Sequence, residues 1–159
     1  MHFALLAGDR AVYVEKVEPE GAYKLASRVG MHIPLYCTAI GKAILPELTE
    51  EDVRSRVGEE PYATRTESTH TTWADLNADL RVIHERGYAI DDEENEKNVR
   101  CVAAPVHDSL ARICGAVSVS ALTFLFSMDD TKWAGELVHD AATAVSRALG
   151  APMEPEELA

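Results

Sequence analysis

The sequence predicts an α+β domain on a mainly antiparallel sheet, and three observations carry that prediction. Its elements run three strands, three helices, three strands and one helix, which packs helices onto a sheet instead of alternating them with its strands. Two long runs, Val99 to Val106 and Ile113 to Leu122, alternate small and greasy residues with the period of an extended strand. No repeat or linker interrupts the 159 residues, a length that suits one domain, with 1–150 as its core and 151–159 as a frayed tail.

In chain order, Phe3 to Ala7 and Ala11 to Val17 flank Gly8-Asp9-Arg10 and read as a hairpin. Pro19-Glu20-Gly21 is a turn, and Tyr23 to Val29 is expected as a third strand, broken by Met31 to Pro34. Thr38 to Leu45 is a short helix stopped by Pro46. Its Gly41 costs about 1 kcal/mol relative to Ala in a helix interior, which points to a close backbone approach there. Thr49 to Asp52 opens a second helix that ends near Gly58, and the Thr-rich stretch from Glu59 to Thr72 is expected as a surface loop. Trp73, Leu76, Leu80 and Ile83 mark one face of a third helix, with Thr72 as its N-cap and Gly87 after its end. The last helix follows Asp129 and Asp130, with Ala134, Val138, Ala141, Val145 and Leu149 as its expected apolar stripe.

Composition excludes several functions. A formal charge of −12 rules out nucleic-acid binding through the overall field of the chain. No apolar run is long enough to span a membrane and no signal peptide is visible, so the expectation is a cytoplasmic chain without a membrane partner. Three cysteines, at 37, 101 and 114, fit neither a disulfide framework nor paired zinc spacing. The six histidines are scattered and no phosphate loop is present, so neither a metal nor a cofactor is expected. Cys101 has no base beside it in sequence, and no catalytic residue is assigned.

The stretch from Tyr88 to Leu122 carries the strongest functional signal. Alternation places Cys101 and Ala103 on one face with Cys114, Ala116, Ser118 and Ser120, while Val102, Ala104, Val106, Ile113, Val117, Val119 and Ala121 face a helix layer. Asp91 ends a strand and is aimed inward, whereas Asp92, Glu93 and Glu94 read as a solvated acidic turn. A small, faintly polar sheet face beside an aspartate has the makings of a small-molecule pocket, or of a close-packed contact with a helix or a partner chain.

Three separated motifs, Ile33 to Leu45, Leu80 to Glu94, and Cys101 to Val106 with Ser118-Val119-Ser120, together resemble the effector-binding domain of IclR-type transcriptional regulators. The resemblance implies a GAF-like sandwich that binds a small organic or aromatic acid. It also implies a homodimer or tetramer, and contact with DNA only through an N-terminal winged helix-turn-helix, which this chain lacks. It places Leu25, Ile33, Ala39 and Ile40 in the apolar wall of the pocket and Asp91, Cys101, Ser118 and Ser120 as polar contacts. The start of the Thr38 helix would then take the acid's negative charge. Tyr36 stands where the family usually has histidine, and Asn98 where glycine is common; Asn tolerates the left-handed conformation. The alternative is a GAF-like thiol redox enzyme similar to free methionine sulfoxide reductases.

Overall fold

The computed structural model describes residues 1–18 and 24–152. Its six strands are β1 (His2–Ala7), β2 (Arg10–Lys16), β3 (His32–Pro34), β4 (Ala89–Asp92), β5 (Val99–His107) and β6 (Ile113–Leu122). They form one sheet in the order β3-β2-β1-β6-β5-β4, and every pairing is antiparallel. The helices are α1 (Ala39–Ile44), α2 (Glu50–Val57), α3 (Trp73–Arg86) and α4 (Asp130–Ala148), with a 3₁₀ turn at Leu45–Glu47 after α1. This is the expected α+β sandwich.

Each face of the sheet has its own core. On one side Ala4, Ala11, Ile33, Ala89, Ala103 and Ala116 pack under α1 and α3, through Ile40, Ile44, Leu76, Leu80 and Ile83. On the other side Val102, Ala104, Val106 and Val117 meet Ala134, Val138 and Ala142 of α4. Small residues on the first face let α1 lie close to the sheet, and all six of its residues are buried. Gly41 belongs to that contact: a Cβ there would sit 2.3 Å from the Leu35 backbone, so the chain's own preceding segment makes the predicted close approach.

The helix ends follow their caps. The hydroxyls of Thr38, Thr49 and Thr72 accept from the backbone N–H groups of Gly41, Asp52 and Asp75, meeting donors that a first turn leaves free. Gly87 ends α3 with φ +80, and Asn98 takes the expected left-handed conformation with φ 63.

Four expectations are corrected. The third strand is His32–Pro34, not Tyr23 to Val29. Residues 24–29 are irregular, and the turn at Pro19 and the strand start at Tyr23 lie outside the described residues, as does the tail from Met153. Gly30 and Met31 already bond to the Tyr13 backbone, so pairing with β2 begins only after that turn. Pro34 is accommodated because β3 is a sheet edge, where a missing N–H is tolerated. The buried stripe of α4 runs through Thr131, Ala134, Gly135, Val138, Ala142 and Ser146. It follows the i+4 row, leaving Leu149 exposed and Ala141 and Val145 half-buried. Cys114 packs with the α4 core and Ile113 with the other, because the β5–β6 register shifts beside them at Val106/His107. The Thr-rich stretch is also no free surface loop: Thr66 and Thr69 are buried and donate to the carbonyls of Glu93 and Glu94.

Candidate functional site

Register lines up the polar groups of the α1-side face. Asp91 pairs with Cys101 and Cys101 with Ser120, which forms one row across β4, β5 and β6. A cavity of about 270 Å³ opens over this row. Of the eight residues expected there, Leu25, Ile33, Asp91, Cys101 and Ser120 line it. The other three do not. Ala39 and Ile40 are buried in the core with Ile33 and Leu35, and Ser118, buried between Ala103 and His2 in the sheet, lies two pairs beyond Ser120.

The remaining wall comes from residues without a local sequence signal. Arg10, Tyr13, His32 and Arg65 are among its lining residues, and His2 joins them from the start of β1. A neighbouring cavity of about 290 Å³, with Lys16, Lys24, Leu122 and Leu125 in its walls, shares His2, Leu25 and Ser120 with the first. The two are adjoining chambers of one trough. Lys16 Nζ holds the trough's outer lip by donating to the carbonyls of Leu25 and Ser27 at 3.0 and 2.6 Å, which keeps Leu25 over the sheet. A groove of about 330 Å³ among Leu45, Val53, Trp73 and Leu80 is a weaker candidate, because its charged neighbours Arg81, His84 and Glu85 are exposed.

Burial sets the electrostatics of the site. Asp91 is 3% exposed; its Oδ1 accepts from the backbone N–H of Glu94 at 2.8 Å and of Asn95 at 3.4 Å. Burial, reinforced by the Glu94 carboxylate, pushes its carboxyl up to about 7. Burial lowers the His2 imidazole to about 4, so the ring is neutral; its Nε2 lies 2.7 Å from Ser27 Oγ. The Cys37 thiol is pushed up to about 12, and that of Cys101 is raised too, both chiefly by burial. Neither is a thiolate at neutral pH, the state thiol chemistry needs.

The anion site expected at the start of α1 is absent from this cavity. The Gly41 N–H is bonded to Thr38 Oγ1 at 3.1 Å, and neither Ala39 nor Ile40 reaches the cavity. Arg10 and Arg65 are the cations that do. Tyr36, the departure from the family histidine, points its hydroxyl at the Ala63 carbonyl at 2.6 Å and lies 5.4 Å from the Tyr62 ring, outside the cavity wall.

A buried charge cluster stands behind the Asp91 turn. Lys42, fully buried, donates from Nζ to Asp79 Oδ2 at 2.6 Å and to Glu94 Oε1. Glu94 is therefore not the solvated acid that the sequence predicts; it is 5% exposed. Asp92 keeps nearer that expectation, 43% exposed while paired with Arg100. The signal for the cluster was a lysine inside a helix otherwise made of Ala, Ile and Gly.

The family model described as "Bacterial transcriptional regulator IclR C-terminal" matches residues 1–147. The HTH-type transcriptional regulator XynR of Escherichia coli is 39% identical over 153 residues, covering 95% of this chain and 60% of that protein. The IclR structure of Thermotoga maritima superposes with a TM-score of 0.86 at 34% identity, covering 94% of this chain and 60% of that one. The C-terminal domain of E. coli KdgR gives a TM-score of 0.80 at 32% identity, covering 94% and 86%. The chain thus spans about three fifths of the full-length relatives it matches.

Proposed function

The chain belongs to the IclR family of bacterial transcriptional regulators, matching its C-terminal effector-binding part, and from this premise we propose that the trough over β4, β5 and β6 holds a small organic or aromatic acid. The observation that carries the reading is the cavity itself, whose floor offers Asp91, Cys101 and Ser120 while Arg10 and Arg65 stand in its wall. On this reading the ligand's carboxylate pairs with the guanidinium groups, and Asp91 and Ser120 meet a hydroxyl or carbonyl at its other end. Leu25 and Ile33 cover the apolar part between them. In the longer regulator the bound acid changes DNA binding by a separate head domain, inside the cytoplasm, and this chain contributes no DNA contact of its own.

Self-association belongs to the same proposal. Phe124, Leu125, Trp133 and Leu137 are each more than half exposed around the start of α4, and a homodimer or tetramer would cover such a face. The redox-enzyme alternative is disfavoured because burial keeps both Cys37 and Cys101 as thiols, and the relatives are named as regulators or repressors.

A thermal-shift screen tests the proposal, setting benzoate, hydroxybenzoates and small 2-keto acids against their amides and alcohols. An acid-selective rise in melting temperature that weakens in Asp91→Asn and Ser120→Ala is expected. If no acid shifts the transition, or both variants bind as the parent does, the cavity is not the effector site.

A further inference from the structure

We propose that His70, Asp79 and Glu94 form a binding site for a divalent transition-metal ion, separate from the trough. The three come from the segment before α3, the middle of α3 and the turn after β4, and their donor atoms lie within 4.8 Å of one another. Two carboxylates here share one directly bonded ammonium, that of Lys42, with the Arg86 guanidinium farther off. The orphan atom is specific. Glu94 gives Oε1 to Lys42, while its Oε2 is buried with no hydrogen-bond partner, on a side chain only 7% exposed. Leaving a buried carboxylate oxygen bare is costly, and such atoms are few in folded proteins.

His70 Nε2 lies 3.9 Å from that oxygen and 3.7 Å from Asp79 Oδ2. Both separations are too long for hydrogen bonds. They are close to the spacing of ligands around one ion: with bonds of about 2.0–2.1 Å, neighbours in a tetrahedron sit about 3.3 Å apart. The two His70 separations need to shorten by about half an ångström to reach it, and the Asp79–Glu94 pair, within 4.8 Å, by up to about 1.5 Å. His70 precedes α3 on irregular chain, which gives it room for that movement. Lys42 occupies the inner side and fixes both carboxylates, while His70 and Asp79 are 30% and 22% exposed and leave the outer side open to solvent. One imidazole and two carboxylates, with places left for water, suit zinc, manganese or ferrous iron and their analogue cobalt.

The test uses the metal-stripped 159-residue chain, titrated with Co²⁺ while visible absorption is followed and with Zn²⁺ in a calorimeter. One equivalent should bind and give the absorption bands of an ordered low-coordinate Co²⁺ site. His70→Ala should reduce affinity at least tenfold without changing the circular dichroism or the melting temperature measured in chelator. His84→Ala, on the exposed side of α3, serves as the control and should bind as the parent does. Absence of binding at millimolar metal, or binding that survives His70→Ala unchanged, overturns the site.

Discussion

Lys42 donates to the Asp79 carboxylate at 2.6 Å across 37 residues of sequence, from a side chain that is 1% exposed. A wholly buried ammonium persists only where it is paired, and Glu94 completes the pairing. Lys42→Met should therefore destabilise the fold by about 3–5 kcal/mol, since two carboxylates, that of Glu94 buried, would lose their counter-charge. Urea denaturation measures this; a loss under 1 kcal/mol would mean that the cluster relaxes into solvent.

Gly41→Ala is expected to destabilise although alanine is the better helix former. The propensity gain is about 1 kcal/mol. Against it stands a Cβ placed 2.3 Å from the Leu35 backbone, which no rotamer can relieve. A net loss of about 1–3 kcal/mol, or failure to accumulate folded protein, is the outcome expected from overpacking. Equal or higher stability would show that α1 can lift off the sheet.

Arg10→Ala and Arg65→Ala should each weaken binding of whichever acid raises the melting temperature, by about 1–2 kcal/mol through loss of charge-assisted hydrogen bonds. Both residues are exposed at the cavity edge, so the parent's affinity should also fall with added salt. Calorimetry at two salt concentrations decides it, and affinity independent of both arginines would place the carboxylate elsewhere.

His2 makes stability depend on pH in a known direction. Burial holds its imidazole down at about 4, so the unfolded chain takes up a proton below about 6.5 that the folded chain refuses. Its contribution is intact above that pH and is lost as pH falls from about 6.5 to about 4. Asp91 works oppositely: its carboxyl is raised to about 7, so its contribution declines as pH rises from about 4 towards 7. The difference between parent and His2→Gln isolates the first effect; a difference constant from pH 7 to 4 would contradict it.

Asp91 also shows how far the chain could be read without its fold. Strand alternation puts Cys101 and Ser120 on one face, the place of Asp91 at a strand end points it inward, and the family resemblance groups it with them; the structure sets the three in one row. Its two backbone hydrogen bonds were not readable, and they mean that Asp91→Ala should cost stability as well as any ligand contact. Long-range partners were equally hidden. Lys42 meets Glu94 across 52 residues, and that pairing turns an apparently solvated acid into a buried one. Arg10 and Arg65 reach the same cavity from a hairpin and a loop, whose local patterns say nothing about a shared destination. The misplaced third strand has a simpler cause. β-propensity favours residues 23–29, but the backbone of Tyr13 in β2 receives the chain only at Gly30 and Met31.

The outermost strands of the sheet carry a further consequence. β3 is three residues long and ends in a proline, and β4 is four residues long and ends in two aspartates. Neither presents the long, flat, uncharged row of free backbone groups on which another chain could continue the ladder. Copies of this protein are thereby kept from growing into fibres strand upon strand, and an encounter between two of them is left to side-chain surfaces such as the apolar one around Trp133.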